Sequence, residues 1–343
     1  MMVAHKYRIS GGWERVMTGL CDGLYKLGHN VAIGAFSFER DPPANIRKVN
    51  LKKFRSLTYG IERKSIDLIH SHQPRMNYYS FLTPKPFVFH YHGASNRVQR
   101  INLRLSFPFL RTKISRIITI SNYALDEFTN IAGPAKIPVD IIYNGVDTSL
   151  LHNSLPRPYT KGDPQLLFVG ILYPHKNVIR IINNMQNILK MYPNAHLQII
   201  GDGEDFQRLK HEIKQQGLEK RVELLGAMRY EDTKLRYSSC DIYVSASKWD
   251  NFGIPVLEAM ACGKPVLLSD IPAHRELLDA SNAGKLFPLD EKYDLSEAVM
   301  EIYNNRKFLS SAAREFALKC DWSELCKKVS RIYDQVMERN LDT

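Results

Sequence analysis

Short apolar runs alternate along the chain with longer stretches whose apolar residues recur every three or four positions. In the first half this pattern predicts strands at Met2–His5, Asn30–Phe36, Asp67–His70, Pro86–His90, Arg116–Ile120 and Asp140–Ile142. A helix is predicted from about Trp13 to Leu27, with Val16, Leu20, Leu24 and Leu27 on one face. The polar, proline-rich segment NSLPRPYTKGDP (153–164) interrupts the pattern, which resumes with QLLFVG, HLQIIGDGED, VELLG, CDIYVSAS and KPVLLSD and with helices between them. The final amphipathic stretch, Trp322 to Glu338, spaces Leu325, Val329, Ile332 and Val336 as a helix does. Strand and helix alternating twice over predict an α/β protein with two doubly wound parallel sheets. The boundaries that follow are a first domain at 1–152, a linker at 153–163, a second domain at 164–322 and a closing helix at 323–343.

Composition adds little to this picture until the charge is divided. With 343 residues, 44% hydrophobic and 24% charged, the chain has the size and make-up of a globular protein of two domains. Its apolar runs fall short of the roughly 20 residues a spanning helix needs, and MMVAHKYRIS has no apolar signal core, so a cytoplasmic protein is expected. Five cysteines, with no CxxC pair among them, are expected to be reduced, buried filler rather than a disulfide framework or a zinc site. The net charge of +11 lies wholly in residues 1–150, which hold 21 Lys+Arg against 10 Asp+Glu, while the remainder is balanced at 26 and 26. Two runs, 47–64 and 97–116, supply much of it, and the second interleaves its basic residues with Leu103, Leu105, Phe107, Phe109 and Leu110. Such a run is either a solvated face or a peripheral contact with an anionic membrane or a lipid-phosphate acceptor. Nucleic acid is not expected as a partner, because no recognition module is visible.

The most informative segment is DNFGIPVLEAMACGKPVLLSD (250–270). A helix beginning near Ile254 places Pro255 in its first turn, where proline is tolerated, and aims unpaired N–H groups at whatever lies in front of Gly253. Glu258, about a turn further in, is positioned to accept hydroxyl hydrogen bonds from the same ligand. A ligand carrying both a phosphate and a diol satisfies the pattern. An ordinary strand–loop–helix–strand with a chance acidic pair is the bland alternative.

The spacing of Asp250 and Glu258 resembles the E-x7-E signature of the family-4 retaining glycosyltransferases, with aspartate where that family usually has glutamate. The resemblance extends over nearly the whole chain. SGGWERVMTGLCDGLYKLGHNVAI (10–33) is similar to the family's opening segment, in which Gly11 and Gly12 let the backbone approach a phosphate or sugar. LLFVGILYPHKN (166–177) is similar to the strand and loop whose arginine and lysine hold the diphosphate; Lys176 stands as the lysine, and Ile171 takes the arginine's place, so either Lys176 works alone with the helix N-terminus or another cation such as Arg180 or Lys248 reaches in. DLIHSH (67–72) and FVFHYHG (87–93) end strands in histidines, and the one matching the family's sugar-side histidine is His92. His70 and His72 are read as structural. Ser121 and Asn122, and Glu276 in SDIPAHRELL, also fall at family landmarks.

The resemblance implies a GT-B fold, two Rossmann-like domains facing across a cleft, with the final helix crossing back onto the first. It implies transfer of a sugar from a nucleoside diphosphate, UDP or GDP, to a hydroxyl of a glycan or lipid-linked acceptor, with retention and without a metal or other cofactor. His92, Lys176 and Asp250 are the expected catalytic residues. Gly11, Gly12, Lys176, Asn251, Phe252, Gly253, Ile254 and Glu258 are expected to bind the donor. A sugar-nucleotide epimerase of the same fold, which would turn over the donor alone, and a non-catalytic nucleotide-sugar binder are the alternatives; Ile171 and Asp250 lend weight to the second.

Overall fold

A computed structural model describes residues 1–7, 12–51, 65–94, 96–290 and 292–341. The chain divides into two compact units, Met1–Gly145 with Trp322–Thr343, and Val146–Asp321. The stretch expected as a linker is tied to the second unit, where Arg157 pairs with Asp241 and the Tyr159 amide donates to Ser239 Oγ.

The first unit holds β1 (Met2–Tyr7), β2 (Ala32–Phe38), β3 (Arg47–Asn50), β4 (Ile69–Ser71), β5 (Phe87–Tyr91), β6 (Arg116–Thr119) and β7 (Val139–Ile141), in the order β3-β2-β1-β4-β5-β6-β7. The second holds β8 (Gln165–Val169), β9 (His196–Ile200), β10 (Val222–Leu224), β11 (Ile242–Ser245), β12 (Val266–Ser269) and β13 (Gly284–Phe287), in the order β10-β9-β8-β11-β12-β13. All pairings within both sheets are parallel. The inner strands β5, β9, β11 and β12 are buried at every residue, as parallel strands covered on both faces must be. The fold is the expected α/β architecture with two doubly wound sheets. Two strands escaped the sequence pattern, β3 and β13. Both are edge strands, and each has a single fully buried residue, Val49 and Phe287 respectively, so neither presents an apolar run.

In each sheet the chain winds outward in one direction and then returns to the middle, so that β1 lies beside β4 and β8 beside β11. Loops leaving such neighbours run to opposite sides and open a crevice beyond the strands' C-terminal ends. The loop after β8 carries Lys176; the loop after β11 carries Asp250 and Gly253. In the first sheet the loop after β4 begins with His72.

Glycine decides how these loops pack. A Cβ on Gly201, just after β9, would lie 1.8 Å from the Gly170 carbonyl oxygen, and one on Gly203 would lie 2.7 Å from that of Leu172. The same turn donates and accepts across the gap, through Leu172 N–H to the Asp202 carbonyl at 2.9 Å and Asp205 N–H to the Leu172 carbonyl at 2.9 Å. GDG, a weak turn signal in sequence, is the seat of the β8 loop.

The last helix, Trp322–Leu341, packs on the helix Gly12–Lys26 of the first unit. Trp322 fills the space that a Cβ on Gly19 or Gly145 would need, at 2.2 and 2.4 Å, and Cys326 Sγ sits 2.3 Å from the Cβ position of Gly23. All five cysteines are buried thiols. No helix among the described residues is long and apolar enough to cross a membrane.

Gly201→Ala adds a side chain at φ +144° with a carbonyl in its place. We expect it to lower the unfolding free energy by at least about 2 kcal/mol in urea titration; an unchanged midpoint would show that the two loops part without cost.

Candidate active site

The helix Ile254–Ala261 begins where the sequence places it, behind Gly253 in the left-handed region (φ 89°, ψ 62°) with Pro255 in the first turn. A Cβ at Gly253 would be strained by that φ and would touch Val256 Cγ2 at 3.0 Å. The anion-facing end is narrower than expected. Pro255 has no N–H, and the Val256 and Leu257 amides donate back to the Gly253 carbonyl at 2.9 and 3.3 Å, so the Gly253 and Ile254 amides are the ones left to meet a ligand.

Lys176 ends the short turn Pro174–Lys176 after β8, and its Nζ donates to Asp250 Oδ2 at 2.7 Å. Both side chains keep about a fifth of their surface exposed. Asp250 Oδ1 accepts the Asn251 amide at 2.8 Å, so both carboxylate oxygens are engaged. Burial pushes the Asp250 carboxyl up, but the Lys176 charge and hydrogen bond, the nearby His274 ring and the Asn251 amide outweigh it and hold the group below its ordinary value. The backbone joins the same two loops, with the Lys248 amide donating to the His175 carbonyl at 2.7 Å.

Glu258 is 4% exposed, and its Oε2 accepts the Tyr237 hydroxyl at 2.8 Å. Phe252 is buried at 2% exposure, so its side chain belongs to the core. Asn251 and Ile254 are partly exposed. Of the two cations considered in place of an arginine, Arg180 is buried with Nη2 donating to the Asp290 and Tyr293 carbonyls, both at 2.5 Å, and is committed to holding that loop. Lys248 is exposed, and Ile171 stands half in solvent at 52%.

An aromatic shelf beside the ion pair was not read from the sequence. His175 stacks on Trp249 at 4.1 Å between ring centres and 13° between planes, and on Tyr173 at 5.9 Å and 26°. Trp249 and Tyr173 are 42% and 39% exposed. Burial, then the Lys176 charge, lower the His175 pKa, with Asp250 opposing them.

In the first unit, Gly12 opens the helix Gly12–Lys26, and Gly11 lies outside the described residues. His92 follows β5, its Nε2 3.0 Å from His72 Nδ1 and its ring stacked 4.4 Å from that of His90. Burial pushes His92 down to about 3, so its ring is neutral. The loop that bears it is anchored by the buried Glu127, which accepts the Tyr91 hydroxyl at 2.8 Å, the Ala94 amide at 3.1 Å and Arg100 Nη1 at 2.9 Å. Ser121 is a helix cap, its Oγ accepting the Ala124 amide at 2.9 Å.

The second basic run is mostly the helix Arg97–Leu110, capped by Asn96. Leu103, Phe107 and Leu110 are buried, and Phe107 meets Phe128 edge-on at 4.8 Å, which corrects the expectation that Phe107 lies on the interleaved surface. The opposite face leaves Val98, Ile101, Leu105 and Phe109 exposed at 73%, 48%, 67% and 70%. Arg116 is drawn inward by a bidentate pair with Asp140. The first run, 47–64, is β3 at its start and lies outside the described residues from 52 onward.

Because Asp250 is held below its unfolded value, its ion pair stabilises the second unit fully above about pH 4 and is lost as the pH falls through the lower folded value. Asp250→Asn should therefore flatten the acid limb of a stability–pH curve while lowering stability at neutral pH; a parallel downward shift at every pH would disprove the linkage.

The family model for Glycosyltransferase Family 4 matches residues 10–150, and that for Glycosyl transferases group 1 matches residues 156–317. An uncharacterized glycosyltransferase of Methanocaldococcus jannaschii is 28% identical over 309 residues, covering 84% of each chain. The phosphatidyl-myo-inositol mannosyltransferase of Mycobacterium leprae is 25% identical over 286 residues, 79% of this chain and 74% of that one. The crystal structure of Anabaena HepE in complex with UDP and glucose superposes with a TM-score of 0.76 at 20% identity, covering 98% of this chain and all of that one. With two α/β units of parallel strands and both halves matched, the chain belongs to the family-4 glycosyltransferases of GT-B fold.

Proposed function

We propose that the protein transfers a hexosyl group from a nucleoside-diphosphate sugar to a hydroxyl acceptor, with retention of configuration and without a catalytic metal. The observation that carries the reading is the grouping, at one sheet's switch point, of the Lys176–Asp250 pair with the glycine-capped helix that bears Glu258. A diphosphate set against the Gly253 and Ile254 amides meets Lys176 as its cation. In the reaction the acceptor oxygen bonds to the anomeric carbon, the bond from that carbon to the diphosphate oxygen breaks, and the acceptor's proton passes to the departing phosphate. Lys176 gains interaction energy as that oxygen gains charge. Asp250 orients the ammonium in the resting site and is within the loop that faces the sugar. Glu258, held by Tyr237, takes the ribose hydroxyls, and the neutral His92 serves the sugar as a hydrogen-bonding group. HepE's complex with UDP and glucose supports a nucleotide-sugar donor, with UDP the first to test.

The acceptor is proposed to be glycan or lipid-linked at a membrane surface, with the protein peripheral on its cytoplasmic side. The stripe of Val98, Ile101, Leu105 and Phe109 repeats at helical spacing, and Arg97, Arg104 and Lys113 are exposed around it. The mannosyltransferase of Mycobacterium leprae, whose name gives a lipid acceptor, supports this choice.

Thermal-shift titration with UDP-, GDP- and ADP-sugars, followed by product analysis, tests the transfer reading. One donor class should bind and give a glycosylated acceptor. Lys176→Ala, assayed well below its thermal midpoint, should lower kcat about a hundredfold while losing no more stability than Asp250→Asn, which breaks the same ion pair. Absence of nucleotide-sugar binding, or full activity of the variant, would overturn the assignment.

Vesicle co-sedimentation tests the surface. Binding should be stronger to anionic than to neutral lipid, with each near-surface basic residue adding about 1 kcal/mol, and Leu105→Asp with Phe109→Asp should abolish it. Equal binding to both lipids would remove the helix Arg97–Leu110 from the acceptor side.

A further inference from the structure

The two H-x-H segments of the first unit do more than end strands. In register, His70 pairs with Val88 of β5, so His70 projects to the same face as Val88 and therefore as His90 and His92, two and four residues on. His72 follows His70 by two and shares that face. Four imidazoles stack there, with ring centres 4.4–5.3 Å apart between neighbours. His70, His72 and His90 are 1%, 3% and 2% exposed.

Their hydrogen bonds are incomplete in an ordered way. His70 Nδ1 meets the Tyr333 hydroxyl at 2.5 Å, and His72 Nδ1 meets His92 Nε2 at 3.0 Å. Nε2 of His70, Nε2 of His72 and both nitrogens of His90 are buried with no partner among the described residues. Buried polar atoms left unpaired are costly, and four of them on three rings of one face point to a missing ligand. One ligand nitrogen from each of the three rings lies within 4.8 Å of the others. Three nitrogens about 2.0 Å from a tetrahedral cation lie roughly 3.3 Å apart, so the rings, now 10–34° from parallel, must unstack until their in-plane lone pairs converge and the set closes by up to about 1.5 Å.

We propose that His70, His72 and His90 bind one divalent transition cation of the zinc or cobalt class at the C-terminal edge of β4 and β5. An all-imidazole donor set suits these ions and excludes magnesium and calcium, which take oxygen ligands. Tyr333, on the closing helix, and His92 occupy the outer nitrogens, the position from which a second hydrogen bond fixes ring orientation and raises ligand basicity. The cation would tie β4 to β5 and, through His72, set the orientation of His92. It would touch no substrate, and the site stands whether or not His92 serves the sugar.

The test uses the untagged full chain, stripped with chelator and titrated with CoCl2 and then ZnCl2 in the absence of nucleotide. One cobalt per chain should bind with a visible ligand-field band, zinc should displace it, and the thermal midpoint should rise with either ion. His90→Asn should weaken cobalt binding at least a hundredfold and remove the band. Tyr333→Phe keeps all three ligands and the packing, and should weaken binding 10- to 100-fold. It is the decisive variant if His90→Asn does not fold. Wild-type protein that takes up no cobalt, or whose stoichiometry, affinity and spectrum match those of His90→Asn or are unmoved by Tyr333→Phe, would overturn the site; the ions would then be on the other histidines, or water alone would fill the gap.

Discussion

The chemistry of the second unit depends on how closely two stretches of backbone pass beyond β8 and β9. Gly201 lies where a Cβ would coincide with the Gly170 carbonyl, and amides on either side cross-link the turn to Leu172. That contact fixes the β8 loop, which in turn holds Lys176 at the height of Asp250 on the neighbouring switch-point loop. Side chains would provide a weaker guarantee, because they can change rotamer and backbone-to-backbone contact cannot. The site is rigid where it must be exact and leaves its cation in a partly exposed position where a ligand can reach it.

Two carboxylates, one buried and one partly so, show different solutions to the cost of desolvation. Glu127 collects a hydroxyl, an amide and a guanidinium, and organises a loop. Asp250 is paired with one lysine and its neighbour's amide, with a fifth of its surface still reachable. A ligand that competes for Lys176 therefore changes the environment of Asp250 at once.

The central strands and the helix behind Gly253 were legible because burial on both faces writes an apolar run and because Gly and Pro punctuate it. The edge strands β3 and β13 were not, since each buries little. Phe107 and Phe109 look alike in an interleaved basic run; only the position of Phe128 separates core from surface. Lys176 and Asp250 could be singled out but not paired, being 74 residues apart. The histidine stack was half legible: period two places each H-x-H on one face, but the register of β4 against β5, which unites the pairs, is a tertiary fact. Tyr333 and Tyr237 left no signal, because nothing local distinguishes a tyrosine whose hydroxyl will meet a buried partner.

Val146 pairs with Asp321 in a parallel bridge, and its amide donates to the Cys320 carbonyl at 3.0 Å. The second unit therefore begins and ends at one point, while Trp322 belongs to the first. For a disordered connection of roughly 175 residues, bringing Trp322 to its slot between Gly19 and Gly145 would cost about 4–5 kcal/mol in loop closure. Once the bridge has formed, that span shrinks to a few residues and the entropy has already been lost in folding the insert. Docking of the last helix becomes a nearly local event, so folding of the insert favours completion of the first unit, and a lesion that opens the bridge would weaken the hold of the final helix on the amino-terminal sheet.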